Sequence, residues 1–156
     1  MAVRPSHAFV QQTIGWLTEL SRLYIRDLEM ESRVRIVVSE LTENVAKYGT
    51  GATALVNVDI EQRADDIYLR VETSNTAAAR DIERAMDLLR QIKDSTDPIA
   101  YYDDLIRAVA PTRIPGVSGL GLARIRAEGD LDLGFHARGD VLTIRVETPI
   151  GGVGRG

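Results

Sequence analysis

The first third of the chain repeats its hydrophobic residues every three or four positions, which is the spacing of an amphipathic helix. This pattern predicts one helix over residues 6–28 and a second, more regular helix over residues 30–48. Gly49 and Gly51 follow the second helix, and glycine is common just beyond a helix C-terminus. We therefore expect two consecutive helices at the start of the fold.

The hydrophobic period changes to two in the next segment, as expected for strands with one buried face. Residues 54–61 and 67–72 alternate apolar and polar side chains on either side of a short polar turn. Residues 131–137 and 141–147 form a second alternating pair around another short turn. Each pair predicts a β-hairpin.

Helical periodicity returns between the two hairpins. Residues 77–93, 98–109 and 120–128 each favour a helix, and a loop rich in proline and glycine precedes the last of them. We expect one domain over residues 1–150 and a flexible tail over residues 151–156.

The order of these elements favours an α+β fold, a two-layer α/β sandwich. Its sheet should be mostly antiparallel or mixed, because the strands arrive as hairpins, and the helices should cover one face. A Rossmann fold would need strands and helices to alternate throughout the chain, and this sequence does not supply that order.

Composition restricts the class of protein. Of the 156 residues, 44% are hydrophobic and 27% are charged, close to the average for a globular domain. No run approaches the roughly 20 apolar residues that a membrane span requires. The N-terminus also lacks the apolar segment of a secretory signal, so we expect a cytoplasmic protein with no membrane partner.

Charge and the reactive residue types exclude several further functions. The chain has no cysteine, which removes disulfides, thiolate metal sites and cysteine nucleophiles. Its net charge is −4 and its basic residues are scattered, so we expect no nucleic-acid partner. The only histidines, His7 and His136, are far apart, which argues against a histidine metal site or a catalytic triad. We expect His136 to be a strand residue near a turn.

Three polar residues of the second predicted helix form a row beside its apolar stripe. Glu40, Asn44 and Lys47 have the spacing i, i+4 and i+7, so they lie one above another. Asn44 could offer an oxygen to Mg²⁺, Glu40 could polarise a hydroxyl or water, and Lys47 could lie near phosphate. The alternative is a solvated helix face with a Glu–Lys pair.

A glycine-rich segment, GVSGLGLA over residues 116–123, leads into the last predicted helix. Free backbone N–H groups and the helix dipole could bind an anion there. The spacing G-x-x-G-x-G differs from the dinucleotide fingerprint, and the Gly-Lys-Ser/Thr of a Walker A loop is missing. The alternative is a flexible loop with an ordinary helix start.

Together, and in this order, the two segments resemble the boxes of the GHKL superfamily of ATP-binding domains. SELTENVAKYG is similar to the E-x-x-x-N box of that superfamily, and SGLGLARI is similar to its glycine-rich box. The resemblance covers about residues 30–148 and implies a Bergerat-type fold. In its size the chain resembles the anti-sigma-factor serine kinases. In its insert over residues 77–109 it resembles the SiaB-like bacterial protein kinases.

The resemblance implies a role for each residue that matches a box. Glu40 becomes the catalytic general base, Asn44 the Mg²⁺ ligand, and Lys47 a residue near the phosphates. The residues expected to wrap the β- and γ-phosphates of ATP come from the glycine-rich box: Ser118, Gly119, Leu120, Gly121 and Leu122.

A third family box, Asp-x-Gly-x-Gly, holds an aspartate that binds the adenine amino group, and it is absent from this chain. The corresponding segment is VETSNT, over residues 71–76. Asn75 could partly substitute, because a carboxamide oxygen can accept a hydrogen bond from the adenine amino group.

The resemblance implies a regulatory Ser/Thr protein kinase that uses ATP and Mg²⁺ and phosphorylates a small protein in a bacterial partner-switching pathway. The alternative is a GHKL-fold module that has lost catalysis and regulates a partner by binding alone. The resemblance also raises a possible homodimer, with Trp16 on its face, whereas burial of Trp16 against the sheet is an equal alternative.

Overall fold

The computed structural model describes residues 2–3, 7–25, 28–50, 54–109, 119–128 and 131–152. In chain order the elements are β1 (Ala2–Val3), α1 (His7–Tyr24), α2 (Leu28–Tyr48), β2 (Ala54–Arg63), β3 (Asp66–Thr76), α3 (Ala79–Asp94), α4 (Pro98–Val109), α5 (Gly119–Ala127), β4 (Asp132–Arg138) and β5 (Val141–Gly152).

The strands form one sheet in the order β1-β2-β3-β5-β4. Both predicted hairpins are present, and the pairing of β3 with β5 joins them at the centre of the sheet. Tight turns close the hairpins at Ala64 and Gly139, whose φ angles of 52° and 62° lie in the left-handed region. All pairings among the described strands are antiparallel, so the mixed character allowed by the sequence does not occur there.

The two faces of the sheet differ sharply in chemistry, as the alternating pattern requires. Val71 pairs with Val146 on the face under the helices, and both are buried. Their neighbours Arg70 and Glu147 pair on the opposite face, where they are only partly buried. The fold is therefore a two-layer α/β sandwich with helices on one face, as the sequence predicts.

An ion-pair network stabilises the polar face of the sheet. The Glu147 carboxylate accepts hydrogen bonds from Arg63 at 2.6 Å and from Arg70 at 3.0 Å. The bond from Arg63 is the largest cause of a lowered pKa, which places Glu147 at about 2 instead of its ordinary 4.5. Glu147 therefore remains ionised over the whole physiological range.

Helix α2 lies at the centre of the helical layer. Its apolar stripe, including Val34, Leu41 and Val45, is almost completely buried. It packs against α1 on one side and α5 on the other, and it contacts β3 and β5 below. This position brings Glu40 and Asn44 next to α5, whereas Lys47 is exposed.

The structure departs from the sequence predictions mainly at the edges. β1 was not predicted and adds a two-residue edge strand. β5 continues to Gly152, so two residues of the predicted tail pair with β3.

Trp16 is 59% exposed on α1, so it does not pack against the sheet, and a dimer through this face stays a prediction. The described helices include none with the length and apolarity of a membrane span.

Candidate functional site

A cavity of about 370 Å³ opens between the helical layer and the sheet, near the end of β3. A volume of this size is typical of small-molecule pockets. Most of its wall is apolar, and a few polar side chains project from it. The lining residues are Asn44, Val45, Tyr48, Thr73, Asn75, Ala77, Asp81, Arg84, Ala85, Leu88, Leu105, Leu122, Leu142 and Ile144.

This cavity is lined by three predicted site residues that come from separate segments of the sequence. Asn44 comes from α2, Asn75 from the end of β3, and Leu122 from the glycine-rich start of α5. The Asn44 amide nitrogen is shielded from solvent, and the Asn75 amide donates to the Thr76 carbonyl at 3.2 Å. That bond leaves the carboxamide oxygen of Asn75 available as an acceptor.

Asp81 and Arg84 supply the charge in the cavity wall, and sequence reasoning missed both. They lie in the first two turns of α3, directly after the strand that carries Asn75. The Asp81 side chain is 31% exposed, with a long contact of 3.7 Å to Arg80. Asp81 is an acidic residue in the first turn of the helix that follows β3, five positions beyond the segment 71–76 that corresponds to the family box.

Glu40 lies one helical turn from Asn44 but opens onto a different space. It lines a groove of about 470 Å³ on the outer side of α2, formed with α1 and α5. Burial is the largest cause of a raised pKa at Glu40, and the nearby Glu43 carboxylate raises it further. Arg124 acts in the opposite direction. A carboxylate with a raised pKa is suited to accept a proton near neutral pH.

The Glu40 carboxylate also lies directly against the backbone of Gly121. A Cβ atom at position 121 would overlap the carboxylate, with the Glu40 Cδ only 2.7 Å away. Gly121 belongs to the first turn of α5, where unpaired N–H groups favour a negative charge. Glycine is therefore the residue that fits at position 121 without displacing Glu40, because α2 approaches α5 closely there.

Arg124 lies one turn further along α5 and faces the same groove as Glu40. Its Nε donates to the Glu128 carboxylate at 2.7 Å, across an i, i+4 pair that is partly exposed. This bond orients the guanidinium of Arg124, and in the groove the two arginines Arg35 and Arg124 balance the charges of Glu40 and Glu43.

Two of the other predicted site residues, Lys47 and Leu120, are not among the residues that line the cavity. Lys47 is exposed, with its ammonium 5.3 Å from the centre of the Tyr48 ring. Gly119 is the first residue of α5, and Leu120 is the next. Ser118 lies outside the described residues.

The predicted Mg²⁺ ligand, Asn44, lines the cavity. Among the described residues, no three His, Cys, Asp or Glu side chains cluster as a metal site. Mg²⁺ commonly keeps its waters and binds one or two protein oxygens together with substrate phosphates. The Asn44 carboxamide on the cavity wall fits that role.

Comparison with known proteins identifies a similar fold. No protein-family model matches the chain, and no curated protein matches it. The structure is similar to a chain in the crystal structure of the SiaB-SiaC complex from Pseudomonas aeruginosa, with a TM-score of 0.69 and 16% sequence identity. The match covers 96% of this chain and 89% of that chain, so it spans the whole architecture.

Proposed function

We propose that the protein is a regulatory Ser/Thr protein kinase that binds Mg²⁺-ATP in the 370 Å³ cavity and phosphorylates a small partner protein in a bacterial partner-switching pathway. One observation carries the proposal: Asn44, Asn75 and Leu122 come from three separate segments and line the same cavity. Glu40, the expected base, lies one turn from Asn44 and against the glycine-rich segment.

The base of the nucleotide would occupy the end of the cavity formed by β3 and α3. The apolar wall there suits a flat aromatic ring: Leu88 lies on α3, and Ile144 lies on β5 beside β3. Asp81 can accept a hydrogen bond from an exocyclic amino group, as can the oxygen of Asn75. Asp81 thus offers the carboxylate that the segment over residues 71–76 lacks.

The phosphates would lie toward α2 and the start of α5. Unpaired N–H groups in the first turn of α5 favour anions, and Leu122 brings this turn to the cavity wall. Asn44 would hold Mg²⁺ through its carboxamide oxygen, and bound Mg²⁺ would neutralise charge on the phosphates.

In the proposed transfer step, Glu40 accepts the proton of a serine or threonine hydroxyl on the partner protein. The hydroxyl oxygen forms a bond to the γ-phosphorus while the bond from that phosphorus to the β,γ-bridging oxygen breaks. The products are the phosphorylated partner and ADP, and Glu40 then releases its proton to solvent. The raised pKa of Glu40 favours this role, because a stronger base accepts the proton more readily.

Regulation through a protein partner is supported by the architecture. The similar structure belongs to a complex of two proteins. We place recognition of the substrate in the docking of a folded partner, in the cytoplasm.

A second candidate function is an interaction module without catalysis. Lys47 does not line the cavity, which favours this alternative because the residue expected near the phosphates does not reach them. Such a module would still use the fold to contact its partner, but it would not turn over ATP.

The proposal is tested by the variant Glu40→Gln, which keeps the shape of the side chain and removes its basicity. ATP affinity should remain unchanged, while phosphoryl transfer should fall by roughly 10²–10⁴-fold. The wild-type rate should also decrease as the pH is lowered through the raised pKa of Glu40, and the variant should lose that dependence. Equal transfer rates in the two proteins would remove Glu40 from the mechanism.

A further inference from the structure

The two spaces on either side of α2 separate the groups expected to act in phosphoryl transfer. Asn44 lines the nucleotide cavity, and Glu40 lines the groove between α1, α2 and α5. The first turn of α5 lies between them, with Gly121 against the Glu40 carboxylate. A phosphate bound at that turn would therefore have the nucleotide on one side and the groove on the other.

We propose that this groove binds the acceptor segment of the partner protein, as an extended chain with its hydroxyl at Glu40 and a carboxylate at Arg35. The inference rests on the proposed function, and it adds the entry side of the acceptor and a preference in its sequence.

The position of Glu40 selects the groove as the entry side. A general base must reach the acceptor hydroxyl within hydrogen-bond distance, and Glu40 is accessible from the groove. The attacking oxygen must also approach the γ-phosphorus roughly in line with the bond that breaks. An acceptor arriving from the groove would meet the first condition at Glu40, and it would reach the first turn of α5 from the side opposite to the proposed nucleotide.

The lining of the groove is mostly polar, with Ile14 and Ile36 as its two apolar residues. Gln11 from α1 and Ser39 from α2 place an amide and a hydroxyl along it, and both groups can bond to peptide N–H or C=O groups. Arg124 adds a cation close to Glu40. An extended segment could therefore satisfy its polar backbone groups while it lies in the groove.

Charge gives the groove a direction. Arg35 is exposed at one end, and no ion pair between described residues includes it. Glu40 and Glu43 lie five and eight positions further along α2, and Arg124, which lies near Glu40, already donates to the Glu128 carboxylate. A carboxylate on the partner would be attracted to the Arg35 end and repelled from the Glu43 end.

Helix geometry sets the spacing between the two contacts. Arg35 and Glu40 are five positions apart, which corresponds to about 7.5 Å along a helix axis. Two residues of an extended chain cover about 6.6–6.8 Å. The acidic residue should therefore lie two positions from the phosphorylated serine or threonine.

The test uses the full chain labelled with ¹⁵N and two short synthetic peptides. Both have a central serine in a glycine and alanine background; one carries aspartate two positions to either side, and the other carries lysine at the same places. Amide shifts report where each peptide binds. The variants are Arg35→Glu and, as a matched control, Arg138→Glu, which reverses an exposed charge on β4.

We expect the aspartate peptide to shift the amides of Gln11, Ser39 and Arg124. Arg35→Glu should weaken its binding roughly tenfold or more and should restore binding of the lysine peptide, whereas Arg138→Glu should change neither. Shifts that map elsewhere, equal binding of both peptides, or no binding at millimolar peptide would overturn the inference.

Calorimetric titration of the same samples with Mg²⁺-ATP distinguishes a failure of this inference from a failure of the proposed function. Nucleotide binding together with peptide shifts outside the groove would exclude the groove as the acceptor site and leave the kinase proposal intact. Peptide binding in the groove without nucleotide binding would remove the kinase proposal and leave a docking site.

Discussion

The Glu40 carboxylate on α2 occupies the space that a side chain at Gly121 on α5 would need. The contact joins the two segments that carry the proposed chemistry, because Glu40 is the expected base and Gly121 belongs to the expected phosphate-binding turn. It also explains why α5 tolerates a glycine that lowers its intrinsic helix propensity.

Gly121→Ala should displace Glu40 without unfolding the protein. The added methyl group meets the flexible end of the Glu40 side chain, which can move away, and alanine favours the helix by up to about 1 kcal/mol. We expect a free energy of unfolding within about 1 kcal/mol of the wild type and a reduced rate of phosphoryl transfer.

Urea unfolding and a transfer assay would measure these two effects. Gly15→Ala is the matched control, because a Cβ at that helical position meets nothing within 4 Å, so transfer should be unchanged. A Gly121→Ala protein with the wild-type transfer rate would show that the position of Glu40 is irrelevant to the step.

Asp81→Ala should weaken ATP binding while the fold is retained. Loss of a carboxylate acceptor in a partly buried wall costs about 1.5–3 kcal/mol, or roughly ten- to a hundredfold in affinity. Calorimetric titration measures the change, and Glu83→Ala on the exposed side of α3 provides the control. Equal affinities in the two variants would exclude Asp81 from recognition of the base.

Glu147→Gln should destabilise the protein at neutral pH by about 1–2 kcal/mol, since it removes the charged acceptor shared by Arg63 and Arg70. The folded-state pKa of about 2 lies below the ordinary 4.5, so the contribution is complete above about pH 5 and is lost as the pH falls toward 2.

Denaturant unfolding at several pH values tests this dependence. The difference between wild type and Glu147→Gln should shrink as the pH is lowered. Asp59→Asn, which changes an exposed carboxylate on the same face of the sheet, should alter stability by less than about 0.5 kcal/mol. A difference for Glu147→Gln that is constant with pH would mean that ionisation of Glu147 contributes nothing.

The order and type of nearly all elements followed from hydrophobic periodicity, because one face of each helix and strand packs on a single core. β1 was missed because two residues carry no measurable period. The extension of β5 to Gly152 was missed for another reason: strand pairing with β3 overrides the poor strand propensity of glycine.

The candidate site was only partly predictable. The i, i+4 spacing of Glu40 and Asn44 correctly placed them in one row, but the row gives no indication that α2 separates two spaces. The same spacing grouped Lys47 with them, although its ammonium lies near the Tyr48 ring. Asp81 joins the cavity through the packing of α3, which no local pattern encodes.

The proposed kinase depends on ATP binding in the cavity through Mg²⁺ held by Asn44. Calorimetric titration of the wild type with ATP, with and without Mg²⁺, measures this binding, alongside Asn44→Ala and Asn44→Asp. We expect Mg²⁺-dependent binding that is lost in Asn44→Ala and retained at least partly in Asn44→Asp, which keeps an oxygen ligand. No binding to the folded wild type at millimolar ATP, or unchanged affinity in Asn44→Ala, would show that Asn44 holds no Mg²⁺-ATP in this cavity.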